Sequence, residues 1–220
     1  IMELDMNYRE MAYRNALESV RAIYEKSKYD PEVDLYRSID IINSVSTWQF
    51  EGKEWLVREL LPFLPEKTEK IAVLGSWYGL VSIILRNYIS EDIIIRNIDS
   101  DPVTQVIGSG LLKSIDSSHK NTQFLVDDAI NHVIEKRKTY DVIINTSCEH
   151  MEQDDIRFII EGKKPSTVVC LQSNNYHSVQ SHINTYDSLE EFVEELNLVS
   201  VYYAGTLKAK DYDRYMVIGQ

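Results

Sequence analysis

Cysteine is nearly absent: Cys148 and Cys170 are the only two in 220 residues. That is too few for a disulfide framework or a four-thiolate metal centre, so two reduced thiols in a cytoplasm are expected. Glycine (8) and proline (5) are sparse, which excludes collagen-like and low-complexity chains. Basic charge is in deficit, with 23 Lys and Arg against 35 Asp and Glu and a formal net charge of −12. This balance repels a phosphate backbone or an anionic bilayer surface, so neither nucleic acid nor a membrane is an expected partner. Long apolar runs are missing as well. The longest uncharged apolar stretch, Ile71–Leu85, is interrupted by Gly75, Ser76 and Gly79 and is shorter than the ~20 residues of a membrane helix. The first residues, Ile1-Met2-Glu3-Leu4-Asp5, carry acids where a secretory leader has an apolar core, and a cytoplasmic chain is expected. What is present is an ordinary globular mixture, 44% hydrophobic and 26% charged. The length suits one domain, or one with an added segment.

Residues 7 to about 64 read as helical, with Tyr13, Leu17, Val20 and Tyr24 on one face and Leu56, Leu60 and Phe63 recurring at helical spacing. Pro31 separates at least two helices, with Ser46-Thr47-Trp48-Gln49-Phe50 between them, and Pro62 and Pro65 stop the last. From residue 70 the period changes. Short apolar runs (71–74, 93–98, 123–126, 142–144, 167–171) alternate with helical stretches (80–88, 102–115, 129–137, 153–160, 189–196). Strand and helix in alternation predict an α/β fold, a doubly wound parallel sheet with helices on both faces. The rhythm then breaks: Leu198–Ala204 and Arg214–Gly219 have no helix between them and predict an antiparallel hairpin, connected by Gly205 to Asp213. Residues 1–69 are therefore an N-terminal helical segment packed on a core domain of residues 70–220.

Gly75-Ser76-Trp77-Tyr78-Gly79 follows the first predicted strand and opens the first helix of that core. This is where a nucleotide-type ligand meets backbone N–H groups. Alone, the pattern also fits a tight turn with no ligand. Asp99 adds a coupled signal, because it ends the second strand, 20 positions beyond Gly79, where a carboxylate can take both ribose hydroxyls. Asp101 with Pro102 reads instead as a cap and first turn of the next helix. A dinucleotide fingerprint needs glycine where Trp77 stands, so a diphosphate is disfavoured and a phosphate-free nucleoside such as S-adenosylmethionine (SAM) is preferred.

These residues resemble the class I SAM-dependent methyltransferases, over about residues 70–220. Ile71 to Gly79 resembles their first motif, apart from Trp77, and Asn97 to Pro102 the acidic end of their second strand. Val126-Asp127-Asp128-Ala129 is similar to the segment whose acid takes the adenine amino group, with Asp128 favoured for it and Asp127 left as a helix cap. Tyr140 to Met151 resembles the fourth-strand motif, after which the family places residues lining cofactor and acceptor. The resemblance implies a seven-stranded sheet in the order 3-2-1-4-5-7-6 with strand 7 antiparallel. It also implies SAM as cofactor, bound by Gly75, Ser76, Trp77, Gly79, Asp99, Ser100, Asp128, Ala129, Asn145 and Ser147.

Methyl transfer from a sulfonium is an in-line displacement, so it needs alignment and, for some acceptors, a base. Glu149 and His150 lie just past the fourth strand, at the rim where open α/β sheets bind ligands, and are the catalytic candidates. The alternative for His150 is packing against, or capping, the helix that begins near Glu152. Gln172 to His177, then His182 and Asn184, form a polar cluster after the fifth strand. Asn174, Asn175, His177 and His182 are candidates for the acceptor, against a solvated loop. Trp48 and Gln49, with Tyr36 and Lys53 nearby, are candidates at the cofactor mouth, although Trp48 and Trp55 also fit plain core anchors. His150, His177 and His182 with Glu149 could gather Zn²⁺ or Fe²⁺, but no pair has compact ligand spacing on one helix face, and no metal is expected. The function expected is methyl transfer to a small-molecule or protein acceptor. Two alternatives are an aminopropyl or aminocarboxypropyl transferase of the same fold, and a SAM-binding module without turnover.

Overall fold

The computed structural model describes residues 7–115, 119–136 and 139–220. Ile1–Asp5, and Arg137 at the end of a predicted helix, lie outside the described residues. The centre is a seven-stranded sheet in the order β3-β2-β1-β4-β5-β7-β6. β1 (Lys70–Leu74), β2 (Ile94–Asp99), β3 (Thr122–Val126), β4 (Val142–Asn145) and β5 (Val168–Asn174) are parallel. β7 (Asp213–Gly219) runs antiparallel to both β5 and β6 (Val201–Lys208). This is the order that the resemblance implied.

The inner strands are apolar almost throughout because helices cover both sheet faces, and successive side chains serve opposite cores. Ile71 and Val73 of β1, with Val142 and Ile144 of β4, join one cluster; Ala72, Leu74 and Ile143 join the other. The first cluster is closed by α1 (Asn7–Ser27), α2 (Tyr36–Ser44), α3 (Thr47–Leu60), α4 (Leu80–Leu85) and α5 (Pro102–Ile115). The second is closed by α6 (Ala129–Lys136), α7 (Gln153–Gly162) and α8 (Leu189–Leu196). The N-terminal helices therefore share a core with the sheet. Glu54 of α3 receives Tyr8 and Arg9 of α1, Trp55 donates to the Tyr203 hydroxyl at 3.0 Å, and Gln172 of β5 donates to the Gly52 carbonyl at 3.2 Å.

Five local expectations are corrected. The buried face of α1 is Tyr8, Ala12 and Ala16, while Tyr13, Leu17 and Tyr24 are exposed. The small alanines allow α1 to lie close on α5. Thr47 to Phe50 form the first turn of α3 rather than a connection. α4 stops at Leu85 instead of Tyr88, where the Asn87 amide takes the carbonyls of Ile83 and Ile84. β6 continues to Lys208, so Gly205 to Lys208 are strand; β5 likewise continues to Asn174, and Gln172, Ser173 and Asn174 are buried.

Candidate functional site

The strand order reverses between β1 and β4, so the connections leaving their carboxyl ends part in opposite directions and leave a crevice. A cavity of about 1190 Å³ opens there. Its first wall is the β1–α4 turn, where Gly75, Trp77 and Gly79 all have positive φ, at +57°, +51° and +75°. A Cβ on Gly75 would stand 2.5 Å from Ser147 Oγ, which would have to turn away, and the +57° φ itself favours glycine. Trp77 holds a conformation that side chains disfavour, and three contacts fix it. Its backbone N–H donates to Asp99 Oδ2 at 2.8 Å and its indole N–H to Asp40 Oδ2 at 3.1 Å, while the adjacent Tyr78 hydroxyl donates to Asp40 at 2.6 Å. Burial and the Asp40 contact push the Tyr78 phenol pKa up. Arg37 completes the clasp, 2.7 Å from Asp101 and 3.4 Å from Asp40. α2 is thus bound to the turn and closes one side of the cavity.

Asp99 ends β2 with Oδ2 on Trp77 and Oδ1 accepting the Asp101 N–H at 3.0 Å. Its carboxylate is fixed at the cavity wall beside Ser100. Across from it, Asp128 and Ala129 line the same space. The division of labour between the two aspartates after β3 differs from expectation. Asp128 is itself the cap of α6, accepting from Ile130 and Asn131 at 3.0 and 2.9 Å. Asp127 instead pairs with His132 Nδ1 at 2.9 Å, whose Nε2 meets the Tyr140 hydroxyl at 2.6 Å.

The other half of the cavity is built on the turn after β4. Asn145 is fully buried and accepts from the Ser147 N–H and hydroxyl at 2.9 and 3.1 Å, which shapes the 3-10 turn Cys148–His150. Glu149 on that turn is 4% exposed. Its Oε1 accepts from Asn174 at 2.8 Å and lies 3.9 Å from Arg214, while Oε2 has no partner. Asn174 and Arg214 are register partners across β5 and β7. Burial opposes the Arg214 charge, but Glu149 and Tyr212 outweigh it and raise the pKa. Lys53 enters from α3, bonded to Gln49. Burial first, then Arg214, lowers its pKa to about 7 against the pull of Glu149. Above them, His182 has its pKa lowered by burial, with Glu149 opposing.

Of the residues singled out from sequence, Gly75, Ser76, Trp77, Asp99, Ser100, Asp128, Ala129 and Ser147 line one half of the cavity, and Gln49, Glu149, His150, Asn174 and His182 the other. Five do not line it. Gly79 packs against Phe124 and starts α4; Asn145 supports the turn from beneath. Asn175 clamps the β5–β7 end through Asp213, at 2.7 and 3.2 Å. His177 is exposed beside Thr185 and Asp187, and Trp48 is 51% exposed. Tyr36 also faces solvent, whereas Trp55 is a core anchor. His150 does not cap α7; its Nδ1 meets the Ser181 carbonyl at 2.9 Å. Sequence reasoning missed Asp40, Tyr212 and Arg214, all of which line the cavity; Tyr176, within the polar cluster after the fifth strand, lines it too. Arg214 had one signal, a lone basic residue opening the final strand.

No family model matches the sequence, and no curated protein matches it. Solved structures do. The SAM-dependent methyltransferase of Agrobacterium tumefaciens matches at TM-score 0.54 and 13% identity, over 78% of this chain and 61% of that one. The chain thus spans about three fifths of that protein's length. The N-methyltransferase NodS of Bradyrhizobium japonicum WM9 matches at TM-score 0.60 and 12% identity, over 80% and 97%. The N-terminal domain of EvdMO1, solved with S-adenosylhomocysteine (SAH) bound, matches at TM-score 0.56 and 9% identity, over 76% and 80%. Among the described residues no helix is long and apolar enough to cross a membrane. Strand order, the antiparallel seventh strand and these matches give one conclusion: the chain has the class I SAM-dependent methyltransferase fold.

Proposed function

We propose that the protein is a SAM-dependent methyltransferase acting on a small-molecule or protein acceptor. The observation that carries this reading is the Asp99 carboxylate, fixed at the end of β2 against the glycine turn and facing the cavity. A carboxylate there suits the two hydroxyls of a ribose. The donor set suits SAM further. Asp40, Asp99 and Asp128 ring this half of the cavity, and such an acidic rim repels a pyrophosphate and attracts a cationic sulfonium or ammonium group. Asp128 would take the adenine amino group, and Gly75, Ser76 and Trp77 would flank the amino-acid end. Bound SAM supplies an electrophilic methyl group for in-line transfer.

The chain's own contribution is placement. α2 and α3 act as a fixed lid, with Gln49 and Lys53 in its inner surface, and exclude water from one side. Glu149, Asn174 and His182 give the acceptor half hydrogen-bonding groups, so the acceptor carries a polar head. Glu149 Oε2 and the His150 ring offer lone pairs for a proton leaving that head. The test is calorimetric titration of Asp99→Ala with SAH, beside the unaltered protein. Losing hydrogen bonds to a charged group removes about 1.5–3 kcal/mol, an affinity loss of about 10- to 150-fold, with an unchanged circular dichroism spectrum. Equal affinity in the variant contradicts the placement of the site.

A further inference from the structure

The turn carrying Glu149 and His150 and the loop carrying His182 converge on one point. One ligand atom from each of the three lies within 4.8 Å of the others. We propose that Glu149, His150 and His182 form a binding site for a divalent transition-metal ion, facing the cavity.

Three observations carry it. First, Glu149 presents an unpartnered carboxylate oxygen from a side chain that is 5% exposed. Asn174 and Arg214 both approach Oε1, so Oε2 is left as a buried acceptor with nothing to accept from. A buried acceptor oxygen without a donor is unfavourable, and a cation supplies the partner that Oε2 lacks. Second, both imidazoles are oriented through Nδ1. His150 Nδ1 meets the Ser181 carbonyl and His182 Nδ1 the Tyr176 carbonyl, each at 2.9 Å. A carbonyl can only accept, so each Nδ1 carries the proton and each Nε2 keeps a free lone pair. An imidazole that donates one N–H to a backbone carbonyl and turns its other nitrogen outward has the outer-sphere support of a metal ligand. Third, the two segments are tied together. The Glu149 carbonyl accepts from Ile183 and Asn184 at 2.8 and 3.1 Å, and the His150 and His182 rings meet edge to face at 4.8 Å. Tyr176, stacked on Tyr212, meets the His182 ring edge to face and braces the loop.

Two nitrogens and one carboxylate oxygen suit Zn²⁺ or Fe²⁺ over Mg²⁺ or Ca²⁺, which prefer all-oxygen shells. Bonds of about 2.0–2.1 Å place ligand atoms about 3–3.5 Å apart in a tetrahedron. The triad therefore closes by up to about 1.5 Å when loaded, a movement left to the two partly open imidazoles because Glu149 is buried. Three protein ligands leave coordination positions open toward the cavity. With an ion bound, the Glu149 and His150 lone pairs hold the metal, and the ion takes over lowering the pKa of a coordinated acceptor oxygen. The site itself does not depend on whether the chain transfers a methyl group.

The test uses the full chain stripped with a chelator. Zn²⁺ is titrated by calorimetry, and Co²⁺ by the visible absorption that a nitrogen- and carboxylate-bound ion acquires. One saturable site is expected, weakened at least about 10-fold in His182→Ala and in His150→Ala and unchanged in His177→Ala. Both ring positions are partly open to solvent, so these variants keep the circular dichroism of the parent. Glu149→Gln, which retains the Asn174 contact, is expected to lose binding as well. Absence of saturable binding, or equal affinity in the two histidine variants, overturns the proposal.

Discussion

Lys53 offers the clearest physical perturbation. Its side chain enters the cavity from α3, and burial beside Arg214 brings its pKa from an ordinary 10.5 to about 7. In the unfolded chain the amine keeps its proton up to about 10.5; in the fold it releases it near 7. Between these values the unfolded state binds more protons, so this group makes stability rise with pH there, and below about 7 its contribution is level at its least favourable. Each pKa unit corresponds to about 1.4 kcal/mol, which makes the whole span about 5 kcal/mol. Integrated from pH 6 to pH 9, the rise is about 2.7 kcal/mol. Lys53→Met keeps the length of the side chain and removes the titration. Urea unfolding of both proteins at pH 6, 7.5 and 9 isolates the effect, because the neighbouring Glu149 and Arg214 are common to both. The loss of the Gln49 contact shifts the variant equally at every pH. The expected result is that unaltered protein gains about 2–3 kcal/mol on the variant between pH 6 and 9. A difference that does not change with pH would mean that Lys53 stays charged in the fold.

Two further outcomes follow from the same geometry. Gly75→Ala forces a side chain into a +57° φ and sets its Cβ 2.5 Å from Ser147 Oγ, so a loss of about 1–3 kcal/mol is expected by denaturant unfolding. Ser147→Ala in the same chain should restore part of it, and full stability in the single variant would contradict the close approach. Cys148 and Cys170 are both fully buried, and burial pushes their thiols up. Ellman's reagent should react with neither in the folded protein at pH 8 and with both in urea; fast reaction without urea would show that the core holding the reacting thiol is open, the first for Cys170 and the second for Cys148.

Much of the fold was legible because its signals are local. The β1–α4 turn announced itself by two of eight glycines after an apolar run, and Asp99 by its distance from them. The apolar stretches of β1, β4 and β5 are continuous because both faces are buried, a pattern that survives any error in register. The face of α1 was not legible, because Tyr13, Leu17 and Tyr24 outweigh Ala12 and Ala16 in any hydrophobic periodicity, whereas packing selected the small residues. Asn174 and Arg214 meet only through the antiparallel register of β5 and β7, and sequence carries no marker for register. Glu149, His150 and His182 were legible only as members of a looser group with His177. The spacing of 32 residues between His150 and His182 gave no ligand motif, and they come together because Ile183 and Asn184 bond to the Glu149 backbone and Ser181 to the His150 ring. Trp77 departs from the glycine expected at its position, and the structure gives the reason in its contacts with Asp40 and Asp99.

In the proposed function the cavity between β1 and β4 holds SAM through Asp99. Calorimetric titration of the purified chain with SAM and SAH, with NAD as the control, tests it most directly. Saturable binding of SAM and SAH at a single site, with no binding of NAD, is the predicted result. Failure of both SAM and SAH to bind would contradict it.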